Sequence, residues 1–444
     1  MIFPENISRI FSILLRQGIK AYVVGGAVRD MIMGKEPYDF DMATECLPED
    51  LLLAFKDERY FDSSIRFGTL NVICDDGSIV EITCCRKETD YSDCRRPDSV
   101  EFCRDIKMDL CRRDFTVNAM AMDKDGNITD LFGGKEDIEN KIIRTVGNAD
   151  VRFCEDALRI MRALRFSATI GFEIEEETKR AIHKNAHLLK NISSERIFEE
   201  LKKLIMGDFV ANVLLEYSDV ICEIIPELAP SVGFDQKNPH HIYTVYEHIV
   251  RSVGACPKDI SIRLCMLFHD IAKPLMYTED EKGIGHFKGH PDKSEEMARE
   301  ILSRLHADSE TIKKVCFLIR YHDTRPSATR KSLLKYLTKV GFENAKLLVD
   351  VRRADLSAQS PAYHDQFEYL LESEGIINAL EKEGACISVS QLKIGGKDLI
   401  DLGIPAGPRI GEILNELLKN VVSGCTENKK EELIHLVKRI IRQN

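Results

Sequence analysis

The chain has no apolar run long enough to cross a bilayer, no CxxC pair and no excess of basic charge. Each absence removes a class of function. A membrane-spanning helix takes about 20 consecutive apolar residues, and no segment approaches that length, so no membrane role is expected. The opening stretch MIFPENISRIFSILLRQG lacks the layout of a secretory leader. The 14 cysteines, with Cys84 and Cys85 adjacent, suit neither a disulfide framework nor a zinc ribbon. Buried thiols in a reducing cytoplasm account for them. A net charge of −11 argues against broad adhesion to nucleic acid, so no DNA partner is expected. A specific RNA, held by a local basic surface, is compatible with it.

What is present reads as an ordinary globular protein, 44% hydrophobic and 30% charged. A length of 444 residues exceeds one core and suggests about three domains. Strand-like runs at 20–24, 39–44, 70–74, 79–84 and 128–132 alternate with helices up to about residue 145. The Asp76-Gly77 pair between two of them reads as a hairpin turn. Beyond about 150 the strand signals vanish and helical periodicity takes over. The pattern predicts an α+β fold with a small mixed sheet in a head, 1–145. A long all-α part follows, divided into a neck at 146–230, a body at 231–370 and a tail at 371–444. Gly407-Pro408 marks the start of a helix in that tail.

The segment VVGGAVRDMIMGKEPYDFDMAT, residues 23–44, carries the most chemistry. Gly25-Gly26 between a strand and a short helix lets the backbone approach phosphate closely, with Arg29 nearby to meet its charge. Asp39 and Asp41, two apart in a β-prone stretch, fall on one strand face. Two adjacent carboxylates repel unless a divalent cation lies between them, and Mg²⁺ prefers such oxygens. This string closely resembles the signature of the polymerase-β-like nucleotidyltransferases, in the branch that holds bacterial CCA-adding enzymes and poly(A) polymerases. The resemblance implies that Gly26 and Arg29 contact an incoming triphosphate and that Asp39 and Asp41 hold Mg²⁺.

Residues 79–118 carry a second layer. Glu81 either supplies a third carboxylate or is a solvated strand residue. Residues 86–98 are charged and read as mobile. Arg86, Glu88, Tyr91, Asp93, Arg95, Arg96 and Pro97 match the family's loop pattern R-x-E-x-x-Y-x-D-x-R-R-P. The resemblance ties an intact loop to complete CCA addition. In RRDFTVNAM, the family's second motif falls on Arg112, Arg113, Asp114 and Asn118. Guanidinium groups bind phosphate bidentately, and Arg113 is the cofactor-binding candidate.

EDALRIMRALRF, residues 155–166, reads as one amphipathic helix. Asp156 and Arg159 are then neighbours three apart, with Arg162 and Arg165 extending the row. An ion pair with a solvated basic edge is one reading. The other is chemical: Asp only accepts and Arg only donates. Such a couple suits the amino donor and ring-nitrogen acceptor of C and A, and rejects G and U. In the family the motif E-D-x-x-R does this work, so Asp156 and Arg159 become base readers, with Arg162 and Arg165 close to nucleotide or tRNA end. ISSERIFEELKKLI, residues 192–205, matches the family's neck motif, with Ser193 or Ser194 as helix cap, and is read as structural.

In the body, His248, His269-Asp270, His290, His322-Asp323 and Asp355 lie on separate helical stretches. A metal site in a helical bundle needs such a set. Their order resembles the HD-domain phosphohydrolases. That resemblance makes His248, His269, Asp270 and Asp355 ligands of a divalent transition metal, with His290 and His322 able to complete a second position. His240, His241 and His286 take no assignment. Taken together, the resemblances imply a cytoplasmic nucleotidyltransferase that adds C, C and A to tRNA from CTP and ATP. A poly(A) polymerase or an A-adding enzyme is the near alternative, and a metal-dependent phosphohydrolase the distant one.

Overall fold

A seven-stranded mixed sheet forms the heart of the N-terminal unit, residues 1–229, in the computed structural model, which describes residues 3–89, 99–363 and 365–443. Its strands are β1 (Ala21–Val24), β2 (Asp41–Thr44), β3 (Tyr60–Phe61), β4 (Thr69–Ile73) and β5 (Ile79–Cys84). A separate hairpin of β6 (Arg86–Thr89) and β7 (Ser99–Phe102) intervenes before β8 (Met120–Met122) and β9 (Ile128–Asp130) complete the sheet. The order is β3-β4-β5-β2-β1-β8-β9, antiparallel throughout except for the parallel pair β2–β5.

Alternation sets the faces: Leu70, Val72, Val80, Ile82 and Cys84 all point inward from β4 and β5. The hairpin joining them turns at Asp76-Gly77. Gly77 adopts φ +83°, and Asp76 Oδ1 accepts from the Ser78 amide at 2.9 Å and its hydroxyl at 2.6 Å. Helices α1 (Glu5–Arg16), α2 (Gly26–Ile32), α3 (Pro48–Ala54), α4 (Ile106–Cys111) and α5 (Gly134–Asn140) surround the sheet. α1 buries Ile7, Ile10, Phe11 and Leu14, the spacing of one helical stripe.

The chain then turns helical: α6 (Ala149–Glu155), α7 (Leu158–Ile170), α8 (Glu176–Asn185), α9 (Ser194–Ile205), α10 (Val210–Glu216) and α11 (Ser218–Ile224). Two sequence expectations need correction here. Residues 155–166 are not one helix, because Asp156 is extended (φ −143°, ψ 103°) and separates α6 from α7. Its Oδ1 accepts from the Leu158 amide at 3.1 Å, the local bonding by which aspartate starts helices rather than continuing them. Strands also do not vanish after 150: β10 (Ile142–Ile143) pairs in parallel with β11 (Glu173–Ile174). Gly171, at φ +74°, ends α7 and turns the chain into that second strand.

The charged stretch 86–98 begins on β6, with Arg86 donating to the Phe67 carbonyl at 3.1 Å. Its residues Tyr91, Asp93, Arg95, Arg96 and Pro97 lie outside the described residues. Ser193 takes the position before α9, without a side-chain bond to the helix.

In the C-terminal unit, 230–444, the main bundle is α12 (Val245–Ala255), α13 (Ile260–Phe268), α14 (His290–Arg304), α15 (Ser309–Tyr321), α16 (Arg330–Ser357) and α17 (Gln366–Lys382). α16 kinks at Gly341, where φ is +75°. A short hairpin, β12 (Thr278–Glu279) with β13 (Gly285–His286), lies between α13 and α14. The tail helices α18 (Gly396–Asp401), α19 (Pro408–Val422) and α20 (Lys430–Gln443) share a core of Leu399, Ile413, Leu417, Leu433 and Val437. Pro408 occupies the first position of α19 after Gly407. Among the described cysteines none is in a disulfide, and most are buried.

Candidate active site and metal centre

Register assembles the head site. Val24 pairs with Asp41, so the Gly25-Gly26 turn falls beside the start of β2. The parallel pairing sets Glu81 opposite Asp41. Asp39 precedes the strand, so the two aspartates reach the site from loop and strand rather than from one strand face. Asp41 keeps an exposed edge. Partial burial, then the like charges of Glu81 and Asp39, push its carboxyl up to about 6 against the pull of Arg113. The ligand atoms of these three carboxylates are not gathered within 4.8 Å of one another.

Gly25 carries the stricter requirement of the two glycines. It adopts φ 69° and ψ −132°, and a Cβ there would stand 3.2 Å from Arg113 Nη1. Arg113 is braced from below. Asp109, 1% exposed, accepts from its Nε and Nη2 at 3.2 and 3.0 Å and from Arg112 at 2.9 and 2.6 Å. Burial alone would raise the Asp109 carboxyl, but Arg113 and Arg112 hold it below the usual range. Among the described residues the Arg113 Nη1 has no hydrogen-bond partner, which leaves a donor facing the glycine turn. Arg29 is held by Asp30 at 2.8 Å and donates to Asn118 at 2.9 Å.

The side chains of Asp156 and Arg159 are not paired with each other, although the Arg159 amide donates to the Asp156 carbonyl at 3.0 Å. Asp156 accepts from Arg196 at 2.9 Å. Arg159 is buried, bonded to Glu155 and to the carbonyls of Arg152 and Arg112 at 3.0 and 3.2 Å. Arg162 donates to Asp114 at 2.7 Å, and Arg165 to Glu200 at 2.6 Å. The guanidinium groups of Arg29, Arg162 and Arg165 converge on the Phe166 ring, at 5.5, 5.5 and 4.0 Å from its centre. Sequence reasoning missed Asp109, Phe166, Arg196 and Glu200. The last two lie on the neck helix, where α9 supplies the partners of Asp156 and Arg165. Asp109 was legible as an acid four residues before Arg113 on a short helix. Glu200 had no such signal, because its partner is 35 residues away.

The body holds a tighter cluster. His248 Nε2 lies 3.2 Å from His269 Nε2, 3.2 Å from Asp270 Oδ2 and 3.0 Å from Asp355 Oδ1. On the other side Asp270 Oδ1 lies 3.2 Å from His290 Nε2, which is 3.3 Å from His322 Nε2. The two groups His248–His269–Asp270 and Asp270–His290–His322 each gather their ligand atoms within 4.8 Å, with Asp270 common to both. The opposite ring nitrogens all face carbonyls: Nδ1 of His248 to Ala358 at 3.0 Å, of His269 to Met266 at 2.8 Å, of His290 to Phe287 at 2.8 Å and of His322 to Ile319 at 2.6 Å. These bonds fix the Nδ1 protons, so each Nε2 points inward and can ligate a metal once it carries no proton.

Burial alone would lower His248, but the carboxylates of Asp270 and Asp355 hold it up at about 9. Both carboxylates are themselves held well below their usual range. Asp270 Oδ2 makes no hydrogen bond of good geometry, though the buried Lys273 ammonium stands 2.7 Å away. A cleft of about 560 Å³ opens over the cluster. Of the unassigned histidines, His241 turns its ring 5.0 Å from that of His248, His240 lines the cleft, and His286 pairs with Asp280 on the exposed hairpin. Lys273 and Arg352, which braces Asp355, were not singled out in the sequence.

Comparison with known proteins accords with a nucleotidyltransferase head. Residues 21–144 match the "Poly A polymerase head domain", 171–231 the "Probable RNA and SrmB- binding site of polymerase A", and 279–437 the "tRNA nucleotidyltransferase domain 2 putative". The chain is 35% identical over 425 residues to the CCA-adding enzyme of Geobacillus kaustophilus (strain HTA426), covering 95% of this chain and 93% of that one. It is 36% identical over 422 residues to that of Geobacillus thermodenitrificans (strain NG80-2), with the same coverage. The crystal structure of the Bacillus stearothermophilus CCA-adding enzyme in complex with CTP superposes with a TM-score of 0.73 at 29% identity, over 99% of this chain and 98% of that one. The chain belongs to the CCA-adding enzyme family. No described helix is long and apolar enough to cross a membrane.

Proposed function

We propose that this chain completes tRNA 3′ ends with C, C and A, taking CTP and ATP as substrates in the cytoplasm. The tRNA 3′-hydroxyl attacks the α-phosphate, the bond to the β-phosphate breaks, and pyrophosphate leaves. The observation that carries the reading is the register placing Asp41 beside both Glu81 and the Gly25 turn. Asp39, Asp41 and Glu81 fit Mg²⁺: they are hard oxygen donors whose mutual repulsion already lifts Asp41, and a cation relieves it. Bound Mg²⁺ would supply charge stabilisation at the attacking and leaving oxygens.

The protein's own residues do the positioning. Gly26 and the Gly25 turn admit the triphosphate, with Arg29 and Arg113 as its charged walls. Asp156 and Arg159 select C and A once Asp156 exchanges Arg196, and Arg159 Glu155, for the base. Arg162 and Arg165 hold the approach to that site. The division into head, neck, metal-binding body and tail at 145, 230 and 370 follows the same reading. Incubating purified protein with tRNA that lacks CCA tests the proposal. Incorporation of both labelled nucleotides is expected; incorporation of ATP alone would instead mark a poly(A) polymerase or an A-adding enzyme.

A second reading concerns the body. The four Nε2 atoms gathered around a shared Asp270 favour a dinuclear divalent-metal phosphohydrolase centre held by His248, His269, Asp270, Asp355, His290 and His322. Ions bound there would supply Lewis-acid polarisation of a phosphoryl oxygen.

A further inference from the structure

Beside the histidine cleft lies a second space, an apolar cavity of about 270 Å³ among α15, α16 and α17. The two share a wall, since His322 and Arg325 line both. Tyr321, Tyr336 and Tyr369 are among the residues that line it. Ser373 is 5% exposed, and its hydroxyl has no hydrogen-bond partner although it lines the cavity. Buried hydroxyls are nearly always bonded, so this one points to a ligand. Gln366, also at the wall, accepts from Arg352 at 2.9 Å and keeps its amide nitrogen without a partner among the described residues. Arg352 in turn grips Asp355, which links the cavity to the metal ligands.

We propose that this cavity is the nucleobase subsite of the histidine centre, so that the phosphoester cleaved there is a nucleotide. The inference rests on the phosphohydrolase reading of that centre. Its chemistry follows from the lining. An aromatic-walled slot of this size takes one flat ring, and base stacking on tyrosine tolerates any base. Ser373 and Gln366 supply polar contacts for a ring edge, which a purely apolar ligand would leave unmet. The phosphate would lie across the shared wall, over the histidines, with Lys288 and Arg325 at the cleft mouth. In the hydrolysis the oxygen of water bonds to phosphorus, the ester P–O bond breaks, and the proton passes to the leaving oxygen.

The test uses the full chain with Mn²⁺ and three substrates: AMP, ribose 5-phosphate, and a short RNA ending in a 3′-phosphate. The KM for AMP or for the RNA is expected to lie roughly tenfold or more below that for ribose 5-phosphate, the size a base–aromatic stack carries. Whichever of the two binds better identifies a free nucleotide or an RNA end as the source. Ser373→Phe, which fills the slot, should abolish the difference; an equal KM in the parent chain, or an unchanged ratio in the variant, overturns the proposal. Saturation-transfer NMR of AMP on the metal-free chain gives an independent readout. Base-proton contacts should weaken in Ser373→Phe, while binding at the head is common to both chains and cancels. If that variant does not melt cooperatively, Tyr369→Ala is read in its place. No hydrolysis of any substrate with base contacts intact would sink the phosphohydrolase reading and spare the subsite.

Discussion

The head and the body both converge acidic side chains, but they prepare them in opposite ways. In the head, Asp39, Asp41 and Glu81 stay apart at an open edge, and the crowding lifts the Asp41 carboxyl. In the body, Asp270 and Asp355 are buried against four histidines whose outer nitrogens are already bonded to carbonyls. The difference is one of what completes the site. The body cluster is preorganised by protein alone, as ligands oriented by outer hydrogen bonds are. The head waits for substrate: its arginines are parked on acids, and a triphosphate with its cation must displace or join those pairs.

The largest break in this comparison comes from Asp41→Asn. Nucleotidyl transfer should fall by about 10²-fold or more, the scale of a lost electrostatic stabiliser, while metal analysis still finds ions in the body. Asp270→Asn should do the reverse to the body, lowering metal affinity at both positions by more than the roughly 10–100-fold that an outer-shell change costs. Dialysis against Mn²⁺ followed by metal analysis reads it.

Smaller effects sharpen the contrast. Glu200→Gln should cost about 1–3 kcal/mol, because it keeps an acceptor oxygen but takes away the charge that faces the Arg165 guanidinium; denaturant unfolding measures this. Asp41 gives a pH signature. Its folded pKa, about 6, stands above the ordinary aspartate value of 3.8, so the folded state binds the extra proton between those values. Its stabilising contribution is therefore full below about 3.8 and lost as pH rises through 6. Without metal, Asp41→Asn should melt higher than the parent at pH 8, and the gap should close toward pH 4. The smallest signal is protonic. His248 is held protonated to about 9, so metal uptake in the body at pH 7.5 should release protons. Calorimetry in buffers of different ionisation enthalpy detects that release.

Much of this was legible in the chain itself. Strand alternation, the Asp76-Gly77 turn and the Gly407-Pro408 start all depend on local rules, and the structure follows them. The glycine turn and the acid pair stood out because their residues lie within twenty positions. What was hidden depended on distant partners. Nothing near Arg165 announces Glu200, and nothing near His248 announces the Ala358 carbonyl, 110 residues on. The break at Asp156 was hidden differently: apolar spacing ran through it, and aspartate's preference for local bonding prevailed.

The most direct test is a crystal structure of the chain with CTP and Mg²⁺. Asp39, Asp41 and Glu81 should close on the ion beside the triphosphate, and Asp156 should leave Arg196 to meet the cytosine edge. A cytosine bound away from Asp156 and Arg159, or a triphosphate away from the Gly25 turn, would contradict the account.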